Sequence, residues 1–167
     1  PGIGYTKINH ALMEGGVPLA TDTVEGFLGI EIDHYGLIDF DGVAIIVDAI
    51  GGVTITNEYA FSLGSNQFPV GELHLDGAQA VLYARYRGGP DGDIGRMHRQ
   101  QLVLQALVRE VDSASIPGLM QAVWTGLDQH LMTDVTPDTL LALADTYAGA
   151  CTSETLGVDT IPYSDGG

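Results

Sequence analysis

Apolar positions recur at helical spacing over residues 7–14 and again over 17–28, where Val24, Phe27 and Leu28 share one stripe. Gly15-Gly16 between them is a helix stop, so this region reads as two short helices. Residues 34–39 (HYGLID) alternate as a strand, and 41–50 (DGVAIIVDAI) read as a buried helix. Gly51-Gly52 then opens a strand over Val53-Thr54-Ile55-Thr56, giving a candidate strand–helix–strand unit. Residues 57–75, with their Gly, Ser and Pro, read as a long connection. Asp76 is a cap for a helix over 77–84, and 88–93 (GGPDGD) is a loop. Asp93 is placed as the N-cap of a long helix over 94–112. Pro117 begins another helix to about Met132, Pro137 begins a third over 137–148, and Val158–Ile161 alternates as a last strand. Repeats, low-complexity blocks and linkers are absent, so the sequence predicts one α/β layered domain.

Composition narrows the function classes. The chain has 167 residues, 45% of them hydrophobic, which is enough for one real core and argues against global disorder. Six Lys and Arg stand against 22 Asp and Glu, a net charge of −16, which excludes generic nucleic-acid binding through a basic surface. No uninterrupted apolar run reaches the roughly 18 residues of a membrane span, and the opening residues PGIGYTKINHA have no signal-peptide pattern. A single cysteine, Cys151, excludes an intrachain disulfide framework and a cysteine-rich zinc site.

The distribution of positive charge is the strongest chemical signal. Of Lys7, Arg85, Arg87, Arg96, Arg99 and Arg109, four fall between positions 85 and 99 of a strongly acidic chain. Arg96, Arg99 and Gln100 share a face at the start of the 94–112 helix, where cations oppose the helix dipole until an anion is bound. Arg85 and Arg87, two residues apart, present two guanidinium forks to one side if the backbone is extended. A pyrophosphate would accept all of these donors. Asp91 and Asp93, between the arginine pairs, suit orienting the guanidiniums, holding a divalent cation or taking a proton. The plainer alternatives are surface ion pairs for the arginines, a turn residue for Asp91 and an N-cap for Asp93.

The sequence holds no GxxxxGK[ST], GxSxG, HExxH or CxxC, so P-loop kinase chemistry, serine hydrolysis and zinc proteolysis lose support. His10, His34, His74, His98 and His130 lack metal-ligand spacing, and only His98 lies beside the arginines. The stretches VAIIVDAI and LMQAVWTGL read as core that could also wall an apolar pocket.

Three linked blocks, TKINHALMEGG, IDHYGLIDFDGVAIIVDAIGGVTI and LDGAQAVLYARYRGGPDGDIGRMHRQQ, resemble the LytR-CpsA-Psr family in order and spacing, strongly over about residues 4–112. That resemblance implies an α/β/α fold, a mixed central sheet flanked by helices. It also implies a bacterial, membrane-anchored, extracytoplasmic enzyme that moves a glycopolymer from a polyprenyl-pyrophosphate carrier to peptidoglycan, with Mg²⁺-dependent pyrophosphatase activity in some members. By motif, Arg85 and Arg87 of ARYR are similar to the family's pyrophosphate-binding arginines, and Arg96, Arg99 and Gln100 of GRMHRQ to the second half of that site. Lys7 of TKIN resembles a basic residue at the rim. Asp93 of GDIGR matches an active-site aspartate, which makes Arg87, Asp93 and Arg96 the expected catalytic group. Phe40, Val43, Ile46 and Val47 are candidate lining for the lipid chain, with ordinary core as the alternative for each.

The family's upstream strand and its aspartate- and arginine-bearing motifs are not found before KIN. The resemblance therefore implies that residues 1–167 are the later two-thirds of one catalytic domain. The N-terminal strands, the metal-binding aspartates and the membrane anchor are expected in a preceding segment that acts as this chain's partner. Three readings compete at this stage: a glycopolymer transferase, a polyprenyl-pyrophosphate-binding module without chemistry, and a scaffold whose arginines only knit loops together.

Overall fold

A computed structural model describes residues 7–89, 92–110 and 126–147. The elements are α1 (His10–Leu28), β1 (Gly36–Ile38), α2 (Phe40–Ala49), β2 (Val53–Asn57), β3 (Phe61–Leu63), β4 (Asn66–Phe68), β5 (Gly71–Leu75), α3 (Gly77–Arg85), α4 (Gly92–Glu110), β6 (Leu131–Thr133) and α5 (Pro137–Tyr147). Helices with short paired strands make the chain mixed α/β, as expected. Among the described residues β1 pairs with β6, β2 with β5 and β3 with β4. The chain forms two compact units, one holding the residues up to Gly36 with Thr133–Val135, the other those from Leu37 to Met132 and from Thr136 onward.

In the first unit, α1 breaks at Gly16 (φ 65°, ψ −160°), where the sequence places a stop, and ends on the left-handed Gly29 (φ 67°). The two predicted helices are thus the two halves of a kinked element. Beyond it, Asp134 accepts the backbone N–H of Tyr35 at 2.9 Å, and Thr133 Oγ1 donates to the Tyr35 carbonyl at 2.5 Å. The Asp134 carboxyl is held below its usual range, chiefly by the Tyr35 N–H.

The second unit carries the core. Val53, Ile55 and Asn57 turn inward from β2 at period two, and β2 runs antiparallel to β5 in the register Val53–Leu75, Ile55–Leu73, Asn57–Gly71. The inner residues of this pair join Val47 of α2, Ala80, Tyr83 and Ala84 of α3, and Val103 and Ala106 of α4. Two devices dock α2 on the start of α3. Asp48 accepts the Gly77 N–H at 2.7 Å, placing a carboxylate at the helix N-terminus. Gly77 itself lies so close to Ala44 that an added Cβ would stand 2.2 Å from the Ala44 carbonyl oxygen. Asp76 caps α3 in a reciprocal box with Gln79, as its sequence position predicts.

Four expectations are corrected. The strand–helix–strand unit does not pair internally, because β1 takes β6 and β2 takes β5 as neighbours. Residues 57–75 are not an irregular connection: Phe61–Leu63 and Asn66–Phe68 form a hairpin around Gly64 (φ 58°), and Gly71–Leu75 completes the β2 pairing. The helix predicted from Pro117 does not run to Met132, since Leu131–Thr133 is strand. Asp93 sits inside the first turn of α4 and not at its cap, because the helix already begins at Gly92. The strand expected over Val158–Ile161, the helix start at Pro117, Asp91 and Cys151 lie outside the described residues.

Candidate functional site

The junction between α3 and α4 gathers most of the basic residues. Arg85 is the last residue of α3, Tyr86 leaves it in an extended conformation (φ −60°, ψ 130°), and Arg87 follows. An extended step turns consecutive side chains apart, which sends the Tyr86 ring away from its two arginine neighbours. With only this one residue extended, the two guanidiniums do not share a side as the sequence suggested. Tyr86 stacks on Phe61 at 3.9 Å between ring centres with an interplanar angle of 3°. Arg85 reaches over the ring of Phe40, 4.9 Å from its centre, and Arg87 is exposed toward α4.

Asp93 is where Arg87 and Arg96 meet. Its Oδ1 lies 3.2 Å from Arg96 Nη1, an (i, i+3) pair on α4, and 3.9 Å from Arg87 Nε. Arg96 is the more enclosed of the two, its side chain 22% exposed against 70% for Arg87. One turn further along α4, Arg99 donates to the Tyr86 carbonyl and lies 5.1 Å from the Tyr86 ring centre and 5.8 Å from that of Phe61. The Nε atoms of both Arg96 and Arg99 are buried with no hydrogen-bond partner among the described residues. A buried guanidinium N–H left unpaired is costly, and an anion or hydroxyl entering beside it removes that cost.

The other predicted residues differ in exposure and in the unit they belong to. Gln100 is half-buried on α4 beside Arg99. Lys7 is exposed and belongs to the first unit. Of the candidate lipid-lining residues, Phe40 is 45% exposed beneath Arg85, Val43 and Ile46 are half-buried, and Val47 has no exposed surface and sits in the core.

Two cavities adjoin Arg99. One, of about 220 Å³, is bounded by Tyr59, Ala60, Phe61, Tyr86, Arg99 and glycines of the loop and α4. The second, of about 250 Å³, lies between α4 and the segment that follows β2, with Tyr83 on its wall. Tyr83 donates to Asn57 Oδ1 at 3.2 Å, while Asn57 Nδ2 is shared among the carbonyls of Tyr59, Phe68 and Pro69 at 2.8–3.0 Å. Burial pushes the Tyr83 phenol above its ordinary value, with Arg99 opposing that shift and Glu58 adding to it. Neither Asn57 nor the Tyr59–Phe61–Tyr86 wall was expected from the sequence. The signal lay in FSLGSNQF, whose alternation around Gly-Ser encodes the hairpin that carries Phe61 to Tyr86.

The described donor set does not fit Mg²⁺. No three of His, Cys, Asp and Glu gather at one point among the described residues. Asp93, the carboxylate of this junction, already faces two guanidiniums. Mg²⁺ demands a near-octahedral set of oxygens, which the described residues do not assemble.

Guanidiniums grouped around a loop and a helix start on an α/β scaffold are donors of the kind that suit an anion. The LytR_cpsA_psr family model matches residues 2–165. The chain is 38% identical over 152 residues to the polyisoprenyl-teichoic acid–peptidoglycan teichoic acid transferase TagU of Enterococcus faecalis, covering 90% of this chain and 50% of that protein. It is 40% identical over 146 residues to TagU of Halalkalibacterium halodurans, covering 86% and 48%. Among solved structures it is similar to Bacillus subtilis TagV, with a TM-score of 0.78 at 34% identity over 92% of this chain and 61% of that one. It is also similar to TagT bound to LIIa-WTA, with a TM-score of 0.73 at 28% identity over 89% and 58%. The chain belongs to the LytR-CpsA-Psr family, and it spans about half the length of the relatives it matches.

Proposed function

We propose that the protein carrying this chain is a transferase of cell-wall biogenesis that moves a glycopolymer from a polyprenyl-pyrophosphate carrier to peptidoglycan. The observation that carries this reading is the meeting of Arg87 and Arg96 at Asp93, with Arg99 one helical turn beyond, in a chain similar to teichoic acid transferases. In the reaction, an acceptor sugar hydroxyl attacks the phosphorus bonded to the glycan. An oxygen–phosphorus bond forms, the P–O–P bond breaks, polyprenyl phosphate leaves, and the hydroxyl proton passes to a base. Arg87, Arg96 and Arg99, with Arg85 and Gln100 in supporting contacts, bind the pyrophosphate and neutralise the charge that builds on the departing phosphate. Asp93 holds the two guanidinium forks in register, and the forks exchange that carboxylate for phosphate oxygens when the donor binds. Phe40, Val43 and Ile46 border the carrier lipid.

The same reading places residues 1–167 in one catalytic domain completed by a further segment of the protein, on the outer side of a membrane and anchored there. No helix among the described residues is long and apolar enough to cross a membrane. The test is transfer of a glycan from a synthetic polyprenyl-pyrophosphate donor to peptidoglycan by the whole protein, with binding of the donor measured in parallel. Binding and transfer that both fall in Arg96→Ala support the enzyme reading. Donor binding without turnover establishes the binding module in its place.

A further inference from the structure

The cavity of about 250 Å³ beside α4 has a chemistry of its own. Its walls include Glu58, Tyr59 and Tyr83 on one side and Met97, His98, Arg99 and Gln101 on the other. It is smaller than the roughly 300–1,000 Å³ of drug-sized sites, which matches a single ring. Glu58 and Arg99 both line this space, and they form no ion pair with one another. Among the described residues the side chains of Glu58, His98 and Gln101 make no hydrogen bond or ion pair, and the buried Arg99 Nε has no partner.

That pattern selects among ligand classes. A phosphate or carboxylate entering the cavity would meet Glu58, and an ammonium group would meet Arg99. A neutral ring bearing several hydroxyls satisfies both, donating to the carboxylate and accepting from the guanidinium and the Gln101 amide. The tyrosine walls supply apolar faces for the carbon–hydrogen face of such a ring. Arg99 and Tyr59 also line the neighbouring cavity, which reaches the glycines flanking the Arg87–Asp93–Arg96 cluster.

We propose that this cavity is a subsite for one neutral pyranose ring of the glycan substrate, with Glu58 and Gln101 as its specificity-determining residues and Arg99 as its link to the pyrophosphate site. The inference rests on the function proposed above and assigns to that site a second, uncharged recognition element.

The test uses the whole protein and two probes, N-acetylglucosamine followed by ligand-observed NMR titration and inorganic pyrophosphate followed by thermal stabilisation. Saturable sugar binding is expected in the native protein. It should weaken about tenfold or more in Glu58→Ala and in Gln101→Leu, because each removes a hydrogen bond to a polar group of the ring. Pyrophosphate stabilisation should be unchanged in both variants, and Glu58→Gln replaces Glu58→Ala should the latter fail to fold. Sugar binding indifferent to both substitutions overturns the inference. So does the absence of saturable sugar binding in a protein that pyrophosphate still stabilises. Indifference to both probes overturns the transferase reading as well, so the two failures are distinguishable.

Discussion

At the scale of single residues, Arg87 and Asn57 show how differently two polar side chains serve this protein. Arg87 is largely exposed and faces Asp93 at 3.9 Å, an arrangement that adds little to stability because solvent screens it. Its value lies in the planar fork. Arg87→Ala is expected to lower glycan transfer by about 10²–10³-fold, the usual loss when one donor to a developing anion is removed. Arg87→Lys should recover only a small part of that, since an ammonium keeps the charge and loses the fork. Single-turnover rates with near-native melting temperatures check both. Asn57, 3% exposed, instead ties the end of β2 to the strands that follow, spreading its amide over three carbonyls and accepting from Tyr83. Asn57→Ala leaves those groups unpaired in the interior and is expected to cost about 1–3 kcal/mol, read by urea denaturation.

At the scale of elements, α2 is held at both ends by polar contacts. Asp39 caps it by accepting the Gly42 N–H at 2.8 Å and also takes His130 Nδ1 at 2.8 Å. The hydrogen bond to His130 holds the Asp39 carboxyl below 3.8, and the same bond raises His130 above 6.5. The signs define a window. The His130 contribution is full below its unfolded value near 6.5 and is lost as pH rises through the higher folded value. The Asp39 contribution is full above 3.8 and is lost as pH falls through the lower folded value. The stability difference between the native protein and His130→Gln should therefore peak between pH 3.8 and 6.5 and shrink above it, measured as melting temperature against pH. At the other end of α2, Gly77→Ala places a methyl against the Ala44 carbonyl and should destabilise by about 1–3 kcal/mol, a shift of the denaturation midpoint that checks the close approach. The helices α2, α3 and α4 were legible because apolar periodicity is a local signal, as is the Asp76 cap of α3. The hairpin at 61–68 was hidden by its short strands and its Gly and Ser content. The β1–β6 pairing joins residues about ninety positions apart, and no local pattern encodes such a partner.

At the scale of the whole molecule, a chain of net charge −16 reserves four of its six cations for residues 85–99. That grouping was readable from composition and order, and the family resemblance gave it a substrate. What order alone did not reveal was how the cations divide: Arg87 and Arg96 on Asp93, Arg99 on the Phe61–Tyr86 stack, Arg85 on Phe40. Side-chain direction at Tyr86 and the hairpin that brings Phe61 to it decide this, and both are tertiary effects. The division leaves Arg96 and Arg99 each with a buried Nε that has no partner among the described residues, the feature on which the proposed anionic donor most directly rests. The measurement that bears most directly on the central claim is transfer of a labelled glycan from polyprenyl pyrophosphate to peptidoglycan by the whole protein and by its Arg96→Lys variant. The account predicts transfer by the native protein and a loss of about 10²–10³-fold in the variant at unchanged melting temperature. Equal transfer by the two proteins would contradict it.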